Sequence, residues 1–372
     1  MTERTALAEI LAPRTGTADP ALVRCIEGKP GWIQCFACGH RCRIAPGREG
    51  ICKVRYNEGG LLKVPRGYVA ALACDPIEKK PFFHADPGGL AVSFGMLGCD
   101  FHCAYCQNWE ISQVIRDPDA EGSLRDISPE QIVESARKLG AGTVVSTYNE
   151  PLITSEWSME VFRAARSAGL KTAYVSNGNG TPEVLDYLEP VIDFFKVDLK
   201  GFTDSGYRKL GGELKNVIWT ISDLVRRGIW CEVVTLIVPG MNDSEEELTE
   251  LAGWLAEVSP DIPWHCTAFH QDYRMKEHRG TTAGELIRAS EIGKRAGLRY
   301  VYPGNLPGQV GERENTFCPE CGSTVVERSG FRVKVCRLED DGKCPDCGTV
   351  IPGRWGRVSR QTGSGIPFAL RL

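Results

Sequence analysis

Gly98-Cys99-Asp100-Phe101-His102-Cys103-Ala104-Tyr105-Cys106-Gln107-Asn108-Trp109 sets three cysteines in the spacing C-x3-C-x2-C, directly after an apolar, β-rich run at 91–97. With 16 cysteines in 372 residues, about 0.03 such matches arise by chance, so three ordinary buried thiols account for it poorly. Three thiolates cannot complete a tetrahedral zinc site. They can ligate three irons of a [4Fe–4S] cube and leave the fourth iron open for chemistry. The triad follows a strand, on the kind of loop where a rigid scaffold presents reactive groups.

Outward from the triad, strands and helices alternate. Further β-rich runs occur at 143–148, 172–176, 193–199, 231–238, 264–269 and 299–302. Helix starts lie between them: Ser128-Pro129-Glu130-Gln131 and Ser244-Glu245-Glu246-Glu247 read as capping boxes, and Thr181-Pro182-Glu183 as a third start. Gly140, Gly169, Gly228 and Gly297 stand where C-terminal caps belong. Strand then helix, repeated about six times over roughly 220 residues, implies parallel pairing with right-handed crossovers. The class is α/β, as a full or partial barrel or a doubly wound sheet. The chain divides into a flexible arm (1–20), a Cys-rich segment (21–85), the alternating core (86–311) and a small four-Cys metal module (312–372).

Composition narrows the function. Hydrophobic residues make up 42%, charged residues 25%, and the formal net charge is −4. No basic stripe suggests nucleic acid, and no apolar run is long enough for a membrane span. With no basic-then-apolar start, the expected location is the cytoplasm.

Eleven cysteines fall into three groups, as suits metal ligands in a reduced compartment. Cys318-Pro319-Glu320-Cys321-Gly322 and Cys344-Pro345-Asp346-Cys347-Gly348 are matching knuckles, a four-thiolate site for zinc or a single iron. Zinc would make the module a structural ribbon, and iron a rubredoxin-like relay. Cys35, Cys38, Cys42 and Cys52, with His40 between them, can bind zinc or an auxiliary iron–sulfur cluster. Cys25, Cys74, Cys231, Cys266 and Cys336 read as buried apolar thiols.

In a parallel barrel, active groups sit where strands end. Three polar clusters do: Thr147-Tyr148-Asn149-Glu150-Pro151, Ser176-Asn177-Gly178 and Asp198-Leu199-Lys200. Strand alternation puts Asp198 and Lys200 on one face, where both can serve one polar ligand. The bland readings are an exposed loop glutamate, an Asn-Gly turn and a chance tripeptide. His265, His270, Tyr273 and Tyr302 can line a substrate pocket, and a hydrogen-bonded structural role is the competing reading of the histidines.

The triad, with an aromatic before its last cysteine, resembles the signature of the radical S-adenosylmethionine (SAM) superfamily. Longer segments resemble its AmmeMemoRadiSam-type branch, related to the glycyl-radical-enzyme activases: Cys52-Lys53-Val54-Arg55-Tyr56-Asn57, Asp75-Pro76-Ile77-Glu78-Lys79-Lys80-Pro81, Cys106-Gln107-Asn108-Trp109-Glu110-Ile111-Ser112, Val238-Pro239-Gly240-Met241-Asn242-Asp243 and Tyr302-Pro303-Gly304-Asn305. The resemblance implies a partial (β/α)6 TIM-like barrel in which Cys99, Cys103 and Cys106 hold a catalytic [4Fe–4S] cluster and the open iron chelates SAM. It places Tyr105 against the adenine. Asn149 and Glu150 fall at a Gly-Gly-Glu-type motif whose glycines are here Tyr148 and Asn149. Ser176, Asn177 and Gly178 would meet the ribose and methionine, and Asp198 and Lys200 would help hold SAM. It further implies Memo-type and AMMECR-type partners, a peptide or protein substrate (an aromatic side chain among the options) and a reductant such as ferredoxin or flavodoxin. Unlike a true activase, the chain lacks a second set of ferredoxin-type cysteine motifs. A glycyl-radical-enzyme activase and an iron–sulfur electron carrier are the alternatives.

Overall fold

The computed structural model describes residues 10–116, 124–355 and 370–371. Strand β1 (Ala71–Pro76) pairs antiparallel with β2 (Leu90–Gly95). From β2 the sheet runs through β3 (Thr143–Ser146), β4 (Lys171–Ser176), β5 (Phe194–Asp198), β6 (Trp230–Ile237), β7 (Trp264–Ala268) and β8 (Val301–Gly304), each parallel to the one before. All seven β-rich runs of the alternating core are therefore strands. Their order never reverses, which removes the doubly wound alternative, because that arrangement requires a switch point. Leu370–Arg371 pairs with β1 and forms the outermost strand on that side.

Six crossovers join the parallel strands, carried by α1 (Pro129–Lys138), α2 (Ser155–Ser167), α3 (Pro182–Leu188), the pair α4 (Asp204–Leu210) and α5 (Leu214–Arg226), α6 (Glu245–Val258) and α7 (Ala283–Arg295). Sequential order with one crossover hand puts every helix on the same face. One hydrophobic cluster accordingly joins Val92, Val144, Val197, Val233 and Cys266 to Ile132, Phe162, Val217, Leu251 and Ile292. Alternate strand residues, among them Ala91, Val145, Ala173 and Phe194, point the other way and pack on Ile77, Phe82 and Ala85.

The helix starts follow their sequence signals. Ser128 and Gln131 form the full capping box, and Thr181 accepts from the Val184 N–H. Ser244 caps α6, but its box is only half made, since Glu247 accepts from the Phe202 N–H instead. Thr282 and Glu285 form a full box that the sequence reading passed over. Gly140, Gly169, Gly228 and Gly297 all take positive φ.

Outside the sheet the chain makes small β-structures. Thr15–Thr17 pairs with Leu61–Pro65, so the arm is already anchored there, while residues 1–9 lie outside the described residues. Val23–Cys25, Ile33–Cys35 and Arg43–Ile44 form a second sheet, and Thr316–Phe317, Thr324–Ser329 and Arg332–Cys336 a third. Of the five cysteines read as buried, Cys74, Cys231 and Cys266 are buried. Cys25 is exposed, lying in a short strand of that second sheet, and Cys336 is partly exposed. Among the described residues no helix is long and apolar enough to cross a membrane.

Candidate functional site

The chain leaves β2 through Met96-Leu97-Gly98 and enters the triad loop. Gly98 has φ +92°, and a Cβ there would sit 2.8 Å from Val54 Cγ1 and 3.2 Å from the Cys52 carbonyl oxygen, so the loop can pass the Cys-rich segment only as glycine. Farther on, the Phe101 ring lies where a Cβ on Gly212 would be, and the His102 N–H donates to the Leu210 carbonyl at 2.9 Å. Arg116 ties the loop down from outside, donating to the carbonyls of Cys99 (2.7 Å), Phe101 (3.1 Å) and Ile51. From beyond β7, the Arg274 N–H donates to the Ala104 carbonyl at 3.0 Å, and Tyr273 stacks on Trp109 with centroids 5.1 Å apart.

The triad thiols are held ready for a positively charged partner. The Phe101 N–H points at Cys99 Sγ (3.3 Å), and the Ser112 hydroxyl lies 3.2 Å from Cys106 Sγ. Burial first, then the charge of Asp100, pushes the Cys99 thiol well above its usual range, and burial pushes Cys103 up to about 12. Such thiols ionise readily only when metal charge offsets the lost hydration.

Around them the strand ends converge. Glu150 is buried. Its Oε1 accepts from the Ser176 hydroxyl (2.7 Å) and the Leu152 N–H (3.0 Å), and its Oε2 from the Asn177 N–H (2.7 Å). Burial first, and Asp100 second, raise its carboxyl to about 8 despite those bonds. Asn149 accepts from the Met96 N–H at 3.0 Å and so locks the β3 loop to the start of the triad loop. Asn177 donates to Asp100 Oδ1 (2.7 Å), and Gly178 at φ +75° lets its N–H reach Ser176 Oγ (3.0 Å). At the end of β5, Lys200 Nζ lies 3.2 Å from Asp198 Oδ2, on the shared face that alternation requires. Burial works against ionising Asp198, but Lys196 and Lys200 outweigh it and hold the carboxyl at about 2. Tyr105 is buried in the charge field of Cys103, Lys200 and Tyr207.

Three participants escaped the sequence reading. Lys196 sits two residues before Asp198 on the same face and pairs with it, a signal the strand alternation carried. Asp100, fully buried beside Cys99, is gripped by Asn177 and by Asn179 Nδ2 (2.8 Å). No spacing rule marks either of these last two.

His265, His270, Tyr273 and Tyr302 do not come together. His270 and Tyr273 lie by the triad loop, where His270 Nε2 is 3.0 Å from Gln107 Nε2. His265 and Tyr302 belong to a buried floor on the sheet's helix-free face. Glu232 there binds His265 Nε2 (2.8 Å) and accepts from the N–H groups of Phe83 and His84 (2.9 Å each). His84 Nε2 is 2.7 Å from the Tyr302 hydroxyl, which is 2.9 Å from Thr316 Oγ1, and Arg328 donates to both Thr316 and the Phe83 carbonyl. The floor joins the sheet to the C-terminal module, and both side chains spend their polar atoms inside it.

In that module Cys318 and Cys347 have their sulfurs 3.5 Å apart, and Cys321 and Cys344 3.7 Å. Among the described residues this is the group whose ligand atoms all lie within 4.8 Å of one another. Four thiolates around one ion at a metal–sulfur distance near 2.3 Å stand about 3.8 Å apart, so the site has the dimensions of a single tetrahedral ion. Gly322 and Gly348 take positive φ and turn their N–H groups back onto the Cys318 and Cys344 carbonyls.

A parallel α/β sheet that gathers three thiols, buried carboxylates and a Lys–Asp–Lys ladder at its strand ends is built as an enzyme scaffold. Residues 95–252 match the family model described as the Radical SAM superfamily. An uncharacterized protein of Methanocaldococcus jannaschii is 37% identical over 322 residues, covering 86% of this chain and 95% of that protein. The pyruvate formate-lyase-activating enzyme of Staphylococcus epidermidis is 25% identical over 199 residues, covering 50% of this chain and 77% of its own length. Streptococcus suis SuiB bound to S-adenosylmethionine superposes with a TM-score of 0.46 at 15% identity, covering 65% of this chain and 56% of that one. The chain belongs to the radical SAM superfamily, and it is a radical SAM enzyme. Membership implies a [4Fe–4S] cluster and SAM as its cofactors.

Proposed function

We propose that this chain cleaves SAM reductively at a [4Fe–4S] cluster held by Cys99, Cys103 and Cys106 and modifies a peptide or protein side chain. The observation that carries the reading is the loop itself. Its three thiols, Cys103 buried and Cys99 and Cys106 half-buried, leave the end of the first parallel strand and face the polar ends of the next three. They fit a cluster better than a single ion, since among the described residues they form no group closed to single-ion distance, and the Phe101 N–H points at one of the sulfurs while the Ser112 hydroxyl lies beside another. When bound, the reduced cluster supplies the electron that splits SAM into methionine and a 5′-deoxyadenosyl radical.

The chain's own residues bind and orient. Asp198, flanked by Lys196 and Lys200, is held ionised and offers its charge and theirs to the polar parts of SAM. Glu150 braces the β3 and β4 loops and, as a buried carboxyl raised by its surroundings, favours a cation such as the SAM ammonium beside it. Ser176, Asn177 and Gly178 present backbone and amide groups to the ribose and methionine, and Tyr105 gives the adenine an apolar wall. The sheet is read as a partial β/α barrel, and the C-terminal thiols as a structural zinc-ribbon site, which stabilises a module with little core of its own. Cys35, Cys38, Cys42 and Cys52 form an auxiliary metal site.

The activating-enzyme relative supports a protein or peptide substrate, and the AmmeMemoRadiSam-type segments support Memo-type and AMMECR-type partners, with a ferredoxin or flavodoxin as reductant in the cytoplasm. Calorimetry tests the reading. SAM should bind the anaerobically reconstituted protein and fail to bind the Cys99/Cys103/Cys106→Ala variant. Equal absence of binding to both would leave the electron-carrier reading in its place.

A further inference from the structure

We infer that Cys35, Cys38, Cys42 and Cys52 hold a second four-iron cluster, wired through backbone contacts to the triad loop, and that it receives the electron first. The site itself is independent of the reading above, whereas its role as a relay rests on that reading.

Two observations distinguish it from the C-terminal site. The Cys35 N–H donates to the Cys42 carbonyl at 2.9 Å, Cys35 and Cys42 share one apolar cluster and Cys38 and Cys52 another, and Cys35, Cys38 and Cys52 are buried. Yet among the described residues these thiols form no group closed to 4.8 Å, as the C-terminal four do. A shell of thiols too open for one ion suits a cube, in which each thiolate binds a different iron. The second observation is Arg55. It is buried, with Nη1 and Nη2 on Glu156 at 2.7 and 2.8 Å, while its buried Nε has no hydrogen-bond partner, and the groups whose negative charge would act on the guanidinium include Cys35, Glu156 and Cys52. An orphaned N–H beside thiol ligands is placed to donate to cluster sulfur, and its charge offsets the negative charge of a four-thiolate cluster. The Ile51 N–H already points at Cys42 Sγ from 3.4 Å.

Contacts link the loops that carry the two sets of thiols. The Cys52 carbonyl packs on Gly98, next to Cys99, and Arg116 bridges the carbonyls of Ile51 and Cys99. The Gly39 N–H donates to the Asn179 carbonyl at 2.8 Å, and the Asn179 side chain binds Asp100. On its other side the group reaches the surface at the partly exposed Cys42, among exposed Arg43, Arg48 and Ile51. A low-potential, one-electron protein donor of the ferredoxin or flavodoxin class would deliver one electron there. That electron would pass on to the triad's cluster, oxidising the second cluster as it reduces the first, with no bond made or broken and no proton moved.

The test uses the full chain carrying Cys99/Cys103/Cys106→Ala, reconstituted anaerobically with iron and sulfide. About four irons and four acid-labile sulfides should remain, with Mössbauer parameters of a cube. Sulfide-free protein, or zinc in place of the iron, would overturn the site whatever the fate of SAM cleavage. A second variant, Cys38→Ser/Cys42→Ser with the triad intact, separates the relay from the fold. Its triad cluster should still photoreduce with a small-molecule donor, but reduction by flavodoxin should fall to the background rate. Unchanged reduction by flavodoxin would overturn the relay.

Discussion

The floor on the sheet's helix-free face and the carboxyl ends of its parallel strands both bury charge, and they handle it in opposite ways. At the floor, Glu232, His265, His84, Tyr302, Thr316 and Arg328 join in a network whose hydrogen bonds run from protein to protein, although the Arg328 Nε has no hydrogen-bond partner. At the carboxyl end, burial pushes the Cys99 and Cys103 thiols up, and Glu150 stays at about 8 while accepting three hydrogen bonds. Buried polar groups that satisfy one another specify a fold; buried groups left wanting a charge of the opposite sign mark where a ligand completes the structure. Substitutions at the floor should therefore cost stability, and those at the carboxyl end should cost chemistry.

The largest effect expected is on the module beyond the floor. Serine at Cys321 or treatment with a chelator should unfold the 312–355 region, because its apolar cluster is small and its four thiols lie within 4.8 Å of one another, as ligands of the proposed ion would. Limited proteolysis would then cut there first, while the triad iron stays in place. Loss of triad iron at the same rate would erase the distinction between the two regions.

Next comes Glu232→Ala, which strips the acceptor from His265 and from two backbone N–H groups. About 3–5 kcal/mol of unfolding free energy should disappear, with SAM affinity unchanged in the folded fraction.

Titration of the floor sharpens the comparison further. Burial pushes His84 down to about 4, against an ordinary value near 6.5. The unfolded chain therefore binds more protons between those values, and His84's contribution, present above pH 6.5, is lost as pH falls toward 4, by about 3 kcal/mol. Glu78, raised to about 7 mainly by burial, works in the opposite sense, losing stability as pH rises from 4.5. Denaturant melts of the parent and His84→Gln across pH 4–7 isolate the histidine. Acidification should cost the parent more than the variant, and parallel curves would contradict the assignment.

The smallest effect is at the carboxyl end. Asp198→Asn removes the carboxylate between Lys196 and Lys200 and should weaken SAM binding by about 2 kcal/mol, roughly 30-fold in Kd, with little change in melting temperature.

Much of this was legible in the sequence. Apolar runs separated by capped helices gave all seven parallel strands, because alternation and caps are local signals. The Asp198–Lys200 pair followed from the same alternation, which also carried Lys196. What stayed hidden was contact between distant segments. Glu232 meets residues 83 and 84 across some 150 positions, and Arg328 meets Phe83 across 245, so the sequence alone leaves open whether His265 and Tyr302 line a pocket or serve a structural network. Asp100 lay inside the signature yet unmarked, since only its neighbours Asn177 and Asn179 reveal it.

The account's central claim is tested most directly by quantifying 5′-deoxyadenosine after anaerobic reconstitution with SAM and dithionite. The parent protein should form it, and the Cys99/Cys103/Cys106→Ala variant should not. Equal formation by both would contradict the assignment of the triad, and SAM bound by the reduced parent without any cleavage would contradict the chemistry proposed for it.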